Sequence, residues 1–245
     1  MASNSETGHA RNIAAFHKLI SFVNGYGTAY NPSDPNLQLS ELQRLYADAQ
    51  AALIDLRIKK RVYDNKVNHR KVLFKDLRAF ASRLVNILKA SKVSKELLAD
   101  ATGFTRKMRG GRAKSITPII NVDMTVTMPA HNSTSQQSFT QVTNHFSDLI
   151  TLLNAEPNYR PNEPEAQIVN LQAKEQELMN INNEIDIFYV QLSNARSTRD
   201  NLLYKGAINL HNTAIEVKSY VRGAFGPKST EYAKLKALSF SKVTK

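Results

Sequence analysis

The sequence repeats itself at an offset of about 129 residues. Residues 16–24, FHKLISFVN, correspond to residues 146–154, FSDLITLLN, with apolar and polar positions in the same order. The correspondence continues from a Pro-containing turn into a long polar segment, through the pairs Tyr30/Tyr159, Pro35/Pro164, Leu42/Leu171, Asn65/Asn194, Arg70/Arg199 and Lys89/Lys218. A shared period of this length indicates two copies of one structural unit.

Helical periodicity dominates each copy. Residues 37–91 contain neither Gly nor Pro, and their apolar residues recur at alternating steps of three and four. This spacing predicts a helical seam close to a heptad. The run predicts either one helix over 37–91 or a long helix and a shorter one with a break in 64–79. The second copy has the same seam from Leu171 to Leu202 and then meets Gly206.

Shorter segments flank each seam. We expect a first helix over residues 10–24 in one copy and 135–154 in the other, the latter opened by a capping box of Ser133 and Gln136. The turns YNPSDP and YRPNEP supply an acidic residue just before each long helix, where it favours the helix dipole. Each copy should close with a short segment, 94–108 and 229–243.

The fold class expected from these patterns is all-α, with two tandem helical-bundle repeats that contain long helices and are joined by an extended linker. The expected domains are a basic helical repeat unit, a linker and a neutral helical repeat unit, over residues 1–108, 109–134 and 135–245.

The linker contains a stretch with strand character. Val122, Met124, Val126 and Met128 alternate with polar residues. Because a lone strand has no sheet to join, an extended segment packed on the helices is one interpretation. Pairing with a strand from a second chain is the other.

Composition excludes several classes of protein. The chain has no Cys, which leaves no disulfide and no thiolate metal site and is typical of a reducing compartment. The first residues contain no apolar segment typical of a secretory signal, and no stretch is long and apolar enough for a membrane span. We expect a cytoplasmic protein without cofactors.

Positive charge is concentrated in the first half. Residues 1–115 contain 21 Lys and Arg against 9 Asp and Glu, whereas residues 116–245 contain 12 of each. This asymmetry predicts a polyanionic partner for the first repeat.

Two basic segments are the candidate contacts. The helical run 57–78 places like charges four residues apart, which costs some helix stability and is typical of a surface that binds phosphates. Residues 106–114, RKMRGGRAK, have no acidic residue and suit a nucleic acid backbone. Both segments are equally typical of solvated surface. The residues expected to carry the contact are Arg57, Lys60, Arg61, Lys71, Lys75 and Arg78, assisted by Arg109 and Arg112.

Equivalent polar residues on the seams admit two interpretations. Arg70 and Arg199 are either buried anion ligands or ion-pair partners, or residues whose stems pack while the guanidinium reaches the edge. Asn65 and Asn194 are expected to form a polar layer that fixes register. Tyr63 and Phe80 fall on seam positions and are expected in the core.

No catalytic motif is present. The six histidines have no metal-ligand spacing such as HExxH, and we expect them to be structural. The sequence lacks a P-loop, GxSxG and GxGxxG, and its carboxylates form no acid–base constellation. We therefore expect a protein that is not an enzyme.

A longer phrase carries a resemblance. It runs from STSQQSF through HFSDLITLLNAEPNYRPNE and LSNARSTRDNLLY to VKSYVRGAFGPKSTEY. This phrase, best developed over residues 133–240, resembles a family of duplicated helical proteins of Bacteroidota, notably flavobacteria, that has no established activity. The resemblance implies kinship and transfers no functional residue.

These observations lead to two hypotheses of different class. The first is a non-enzymatic binding protein whose basic first unit contacts RNA, DNA or a ribosome. The second is a structural or scaffolding protein that forms homo-oligomers or binds an acidic protein partner through its long helices.

Overall fold

The computed structural model describes residues 4–110, 119–120, 126–127 and 137–242. These ranges are almost entirely helical, which confirms the all-α class. The remaining described residues are short connections between helices and two two-residue strands. The helices are α1 (Asn4–Gly25), α2 (Leu39–Lys75), α3 (Leu77–Ala90), α4 (Lys95–Arg109), α5 (Phe139–Ala155), α6 (Ile168–Asp200), α7 (Leu210–Phe225) and α8 (Thr230–Lys236).

The long helices of the two halves of the sequence end near Asp76 and Gly206. Helix α2 ends at Lys75 and α3 begins at Leu77, inside the interval 64–79, with Asp76 between them at φ −102° and ψ 0°. In the second half, α6 continues into a π-helical turn over Asn201–Lys205. The turn closes with a 2.9 Å hydrogen bond from the Gly206 amide to the Asn201 carbonyl. A Cβ on Gly206 would lie 2.9 Å from that carbonyl oxygen, so glycine fits this position.

The start of α5 differs from the expectation. The helix begins at Phe139, and its cap is Ser138, whose hydroxyl accepts a hydrogen bond from the Gln141 amide at 3.2 Å. Ser133 and Gln136 lie outside the described residues. The helix therefore begins four residues later than expected. It begins where the hydroxyl of a serine can accept a hydrogen bond from the backbone amide three residues further on.

Each of the two Pro-containing turns contains an equivalent tyrosine hydrogen bond. Each forms a short 3₁₀ turn, Pro35–Leu37 or Pro164–Ala166. The Tyr30 hydroxyl donates to the Leu37 carbonyl at 2.7 Å, and the Tyr159 hydroxyl donates to the Ala166 carbonyl at 3.0 Å. Both tyrosines are buried, and both bonds close the entry to a long helix.

The chain divides into two compact units. Unit 1 contains residues 1–63 and 188–245, and unit 2 contains residues 64–187. In unit 1, α1 packs against α7 and α8. Its main core combines residues from both ends of the sequence, including Phe16, Leu19, Leu42, Leu45, Leu203, Leu210, Val217 and Leu235.

Unit 2 is formed by a continuous stretch of chain. Helix α3 packs on α4, and α4 packs on α5. The residues buried within unit 2 include Leu77, Leu84, Leu88, Met108, Phe146, Leu149, Leu153, Leu171 and Leu178.

The compact units do not coincide with the expected domains, 1–108 and 135–245. The first helix of each half packs against the closing helices of the other half: α1 with α7 and α8, and α5 with α4. Helix α2 begins in unit 1 and ends in unit 2, so the helices that follow it belong to unit 2 and not to the unit that contains α1.

The expected linker, 109–134, contains the two strands. Ile119–Ile120 pairs antiparallel with Val126–Thr127. The strand that includes Val126 thus pairs with a segment of its own chain. Val122, Met124 and Met128, the other apolar positions of the alternation, lie outside the described residues.

The buried tyrosines predict an alkaline loss of stability. Burial raises the pKa of Tyr159 to about 12 and also raises the pKa of Tyr30, from a usual value of 10.0. Both folded-state pKa values exceed the unfolded value, so this stabilisation is complete below pH 10 and is lost as pH rises from 10 towards 12. We expect the free energy of unfolding, measured by urea titration with far-UV circular dichroism, to fall across that interval.

The matching variant is Tyr30→Phe/Tyr159→Phe. It should show a shallower fall, and each substitution should cost about 1–3 kcal/mol at neutral pH, because a buried carbonyl loses its donor. Tyr189→Phe, at a residue that is 54% exposed, serves as the control and should change neither quantity. An alkaline fall of the same steepness in the double variant would contradict this account.

Candidate nucleic-acid interface

The structure separates the predicted basic contacts into two groups. Arg57, Lys60 and Arg61 lie on the part of α2 that belongs to unit 1. The other described residues belong to unit 2 and are Lys71, Lys75, Arg78 and Arg109. All seven side chains are exposed, and Arg112 lies outside the described residues. The structure thus presents no single body that carries the whole set.

The two compact units differ in net charge, and this difference is not the one between the two halves of the sequence. Unit 1 contains 17 Lys and Arg against 8 Asp and Glu, and unit 2 contains 16 against 13. The balance of the second half conceals two opposite segments. Residues 116–187 contain 2 basic against 9 acidic residues, and residues 188–245 contain 10 against 3. Because these segments belong to different units, unit 1 carries most of the net positive charge.

Ion pairs in unit 2 join the two halves of the sequence. The Lys66 ammonium lies 2.8 Å from a Glu184 carboxylate oxygen, and Arg83 pairs with Glu165. Acidic residues from the second half therefore neutralise part of the basic charge that the first half brings to this unit.

Ion pairs in unit 1 are local. Arg44 pairs with Glu41 and Asp48, and Lys59 pairs with Asp55, each within four residues along α2. Arg57 and Arg61 form no ion pair with any of the described residues. Most of these pairs are solvent-exposed, and such pairs contribute only about 0–1 kcal/mol. These local pairs leave Arg57 and Arg61 without an acidic partner among the described residues, and unit 1 keeps its excess of basic over acidic residues.

The arginines of unit 2 hold helices together. Arg78 donates to the Gln137 side-chain oxygen at 2.8 Å, and the Gln137 amide donates to the Lys107 carbonyl at 2.7 Å. Arg109 donates to the Ser82 hydroxyl. These bonds connect α3, α4 and the start of α5. Arg78 and Arg109 thus have structural partners, which distinguishes them from Arg57 and Arg61.

The two seam arginines have different surroundings. Arg199 is 5% exposed and donates to one Asp200 carboxylate oxygen from two nitrogens, at 2.9 and 2.7 Å. It is the ion-pair partner that one interpretation predicted. Arg70 is half-buried, and its guanidinium carbon lies 4.1 Å from the centre of the Phe139 ring.

The predicted asparagine layer was wrong. Asn65 and Asn194 are both exposed. Each lies beside the seam of its helix, whose covered positions include Tyr63 and Arg70 on α2 and Leu192 and Ala195 on α6. In unit 2, the buried asparagine is Asn182, whose amide donates to the Thr143 hydroxyl at 3.2 Å. Tyr63 and Phe80, predicted in the core, are each partly buried.

Unit 1 also contains a buried polar cluster that sequence reasoning missed. Asn12 donates to the Tyr204 hydroxyl at 3.0 Å, and that hydroxyl lies 2.8 Å from His9 Nδ1. The Asn12 side chain also exchanges two hydrogen bonds with the backbone of Ser241. These bonds tie α1 to the C-terminal segment. The sequence carried one signal for this cluster, because the polar residues His9 and Asn12 occupy positions on the buried side of α1, where the helical period predicts apolar residues.

The first helix of each half carries histidine. His17 is exposed and packs its ring 4.9 Å from the Tyr46 ring, whereas His145 is buried on α5. Among the described residues, no group of three or more His, Asp and Glu side chains could hold a metal ion. A shallow depression on α4 is lined by Lys95, Leu98, Ala99, Thr102, Gly103 and Arg106, without a carboxylate or an imidazole.

Comparison with known proteins provides no relative. No protein-family model, curated protein or solved structure matches this chain. Within the part of the chain that the structure describes, no helix is both long enough and apolar enough to cross a membrane.

The glycines of α4 allow a paired test of the Arg78–Gln137 junction. Gly110 has φ +68°, and a Cβ there would lie 2.6 Å from the Gln137 side-chain carbon. We expect Gly110→Ala to lower the unfolding free energy by about 1–3 kcal/mol, because it strains the backbone and displaces Gln137.

Gly103→Ala is the matched control. The position lies inside α4 with open space around it, so alanine should raise the unfolding free energy by about 1 kcal/mol. Urea titration of both variants measures the difference. If Gly110→Ala is as stable as the natural chain, the packing of Gln137 over Gly110 does not matter for stability.

Proposed function

We propose that this chain is a non-enzymatic helical binding protein that contacts a polyanion, the phosphate backbone of RNA, DNA or a ribosome, through the basic surface of unit 1. The observation that carries this proposal is the charge of that unit, with 17 Lys and Arg against 8 Asp and Glu. Like charges concentrated in one compact body repel one another, and a polyanion relieves that repulsion.

Arg57, Lys60 and Arg61 are the residues of the proposed contact on α2. They are spaced three and four residues apart, which places them on one side of a helix. All three are exposed. Each cation that meets a phosphate releases a counterion, and that release supplies the affinity. Lys71, Lys75, Arg78 and Arg109 become secondary contacts, because their unit is nearly balanced in charge.

The proposal extends to the origin of the scaffold. We infer two tandem copies of one helical repeat joined by an extended linker, kinship with the duplicated helical proteins of Bacteroidota, and a cytoplasmic location. The matching hydrogen bonds of Tyr30 and Tyr159 support the duplication.

Salt dependence tests the proposed contact. We expect the natural chain to bind labelled oligonucleotides in fluorescence anisotropy, with log K falling linearly with log salt concentration. The triple variant Arg57→Gln/Lys60→Gln/Arg61→Gln should reduce the steepness of that fall by about 2–3, since each lost phosphate contact removes about 0.7–0.9.

A variant of equal charge is the control. Lys89→Gln/Lys92→Gln/Lys95→Gln removes three exposed cations from unit 2 and should leave the salt dependence close to that of the natural chain. Absence of binding by the natural chain to every RNA and DNA oligonucleotide at low salt would overturn the proposed function. If both triple variants reduce the salt dependence equally, the contact cannot be assigned to Arg57, Lys60 and Arg61 of α2.

A second candidate function is self-association in a structural role. Ile54 and Ile58 on α2 are 49% and 59% exposed, on the helix face opposite the buried Leu56. Ala47 and Ala51 precede them at heptad spacing and are also exposed. Such a face suits a helix of a second copy.

Light scattering tests self-association. We expect a mass above that of one 27.5 kDa chain at high protein concentration and a shift towards one chain in Ile54→Gln/Ile58→Gln. Ile208→Gln/Ile215→Gln replaces two isoleucines that are each 49% exposed and should leave the mass unchanged. A natural chain that stays monomeric would rule this candidate out.

A further inference from the structure

The C-terminal part of unit 1 carries a basic surface that a balanced count for the second half conceals. From residue 217 to residue 245 the sequence has seven Lys and Arg and one acidic residue, Glu231. Four of these cations are exposed along α7, α8 and the turn between them, namely Arg222, Lys228, Lys234 and Lys236. We call these four residues the α7–α8 basic edge.

One of these cations lies over an aromatic ring, and a second follows that ring along α8. The Arg222 guanidinium carbon lies 6.0 Å from the centre of the Tyr232 ring. Lys236 follows Tyr232 by one helical turn on α8, so it occupies the neighbouring position on the same side. The Glu231 carboxylate accepts a hydrogen bond from the Thr230 hydroxyl at 3.1 Å, and it forms no ion pair with a described cation of the edge.

The surface between these cations is open. A Cβ added to Gly223 or Gly226 would meet no atom within 4 Å. Ala224, between them, is exposed. A polymer backbone can therefore approach the protein backbone closely between Arg222 and Lys228. Gly226 also sets the direction of the turn, because its φ of +94° is a conformation that other residues rarely adopt.

The α7–α8 basic edge rests on a packed scaffold. Val221 and Leu235 below it are fully buried. The Tyr26 hydroxyl donates to the Glu231 carbonyl at 2.9 Å, and the Tyr26 ring lies 5.3 Å from the Phe225 ring. The backbone that carries the cations is thus fixed by α1 before any ligand binds, which lowers the entropic cost of binding.

We propose that the α7–α8 basic edge is a second contact for the phosphate backbone of a nucleic acid. It would add about four phosphates to the contact made by Arg57, Lys60 and Arg61 of the same compact unit. A nucleic acid is favoured over an acidic protein because the described residues 216–242 combine exposed cations with bare backbone and include no exposed large apolar side chain. This inference rests on the proposed function. It places more of the contacting cations of unit 1 along α7 and α8 than on α2, from which these helices are remote in sequence.

The test uses the full chain and salt-dependent anisotropy with RNA and DNA oligonucleotides. Arg222→Gln/Lys228→Gln/Lys236→Gln should reduce the steepness of the log K against log salt plot by about 2–3, and should weaken binding at about 0.1 M salt by roughly a hundredfold. Circular dichroism confirms that the variant is folded. Arg11→Gln/Lys18→Gln/Lys205→Gln removes the same charge from exposed positions elsewhere in unit 1 and should have a much smaller effect.

The outcomes separate this inference from the proposed function. If the α7–α8 variant retains the natural salt dependence while the α2 variant loses part of it, the second contact is absent and the proposed function stands. If the natural chain binds no oligonucleotide, both fail. If polyglutamate of similar length binds as tightly as the oligonucleotides at the same salt, the assignment to a phosphate backbone is overturned. If the α7–α8 variant and its control lose the same affinity and salt dependence, the loss is due to net charge, and the second contact is overturned.

Discussion

The two long helices are the constraint on which the rest of this structure depends. Helix α2 has 37 residues and α6 has 33, and each contributes its two ends to different compact units. One continuous apolar seam must therefore serve two cores. On α2, Leu42 and Leu45 are buried in unit 1, whereas Phe74 is buried in unit 2. On α6 the order reverses, with Leu178 in unit 2 and Leu192 in unit 1. Because each long helix passes from one unit to the other, the closing helices of each half pack in the unit that contains the first helix of the other half.

The same exchange decides where charge accumulates. The acidic stretch 116–187 shares unit 2 with the basic stretch 64–115, and their ion pairs, such as Lys66–Glu184, bring the unit close to balance. Residues 188–245 have a basic excess, and they join residues 1–63, which are also weakly basic. Covalent continuity of the helices thus gathers like charge in one body and pairs opposite charge in the other. The cores and the electrostatic surface have one origin.

Local features could be predicted from the sequence, and tertiary partners could not. The helices, the Pro-containing turns and the break near Lys75 all depend on residues close in sequence, and apart from shifted ends, such as the start of α5, they lie where the patterns indicated. Helical periodicity identifies which face is buried but not the element it is buried against, so the pairing of α1 with α7 and α8 was missed. Asn65 and Asn194 illustrate the same limit, because equivalent positions in the alignment of the two halves do not show which side of a long helix is covered. For the candidate interface, exposure of Arg57 and Arg61 could be predicted, whereas the grouping of cations could not. A count of charge over whole halves also hid Arg222 and Lys236, which a shorter window would have revealed.

The bond between Asn12 and the backbone of Ser241 has a consequence for how the chain is made. Helix α1 precedes by about 190 residues the part of its core that Leu203, Leu210, Val217 and Leu235 supply. Unit 2 is a continuous stretch, so a nascent chain can complete it during elongation. Unit 1 cannot close until α7 and α8 have been synthesised. The part of α1 that packs against them therefore stays uncovered while unit 2 is made, and α7 and α8 complete the core that α1 began.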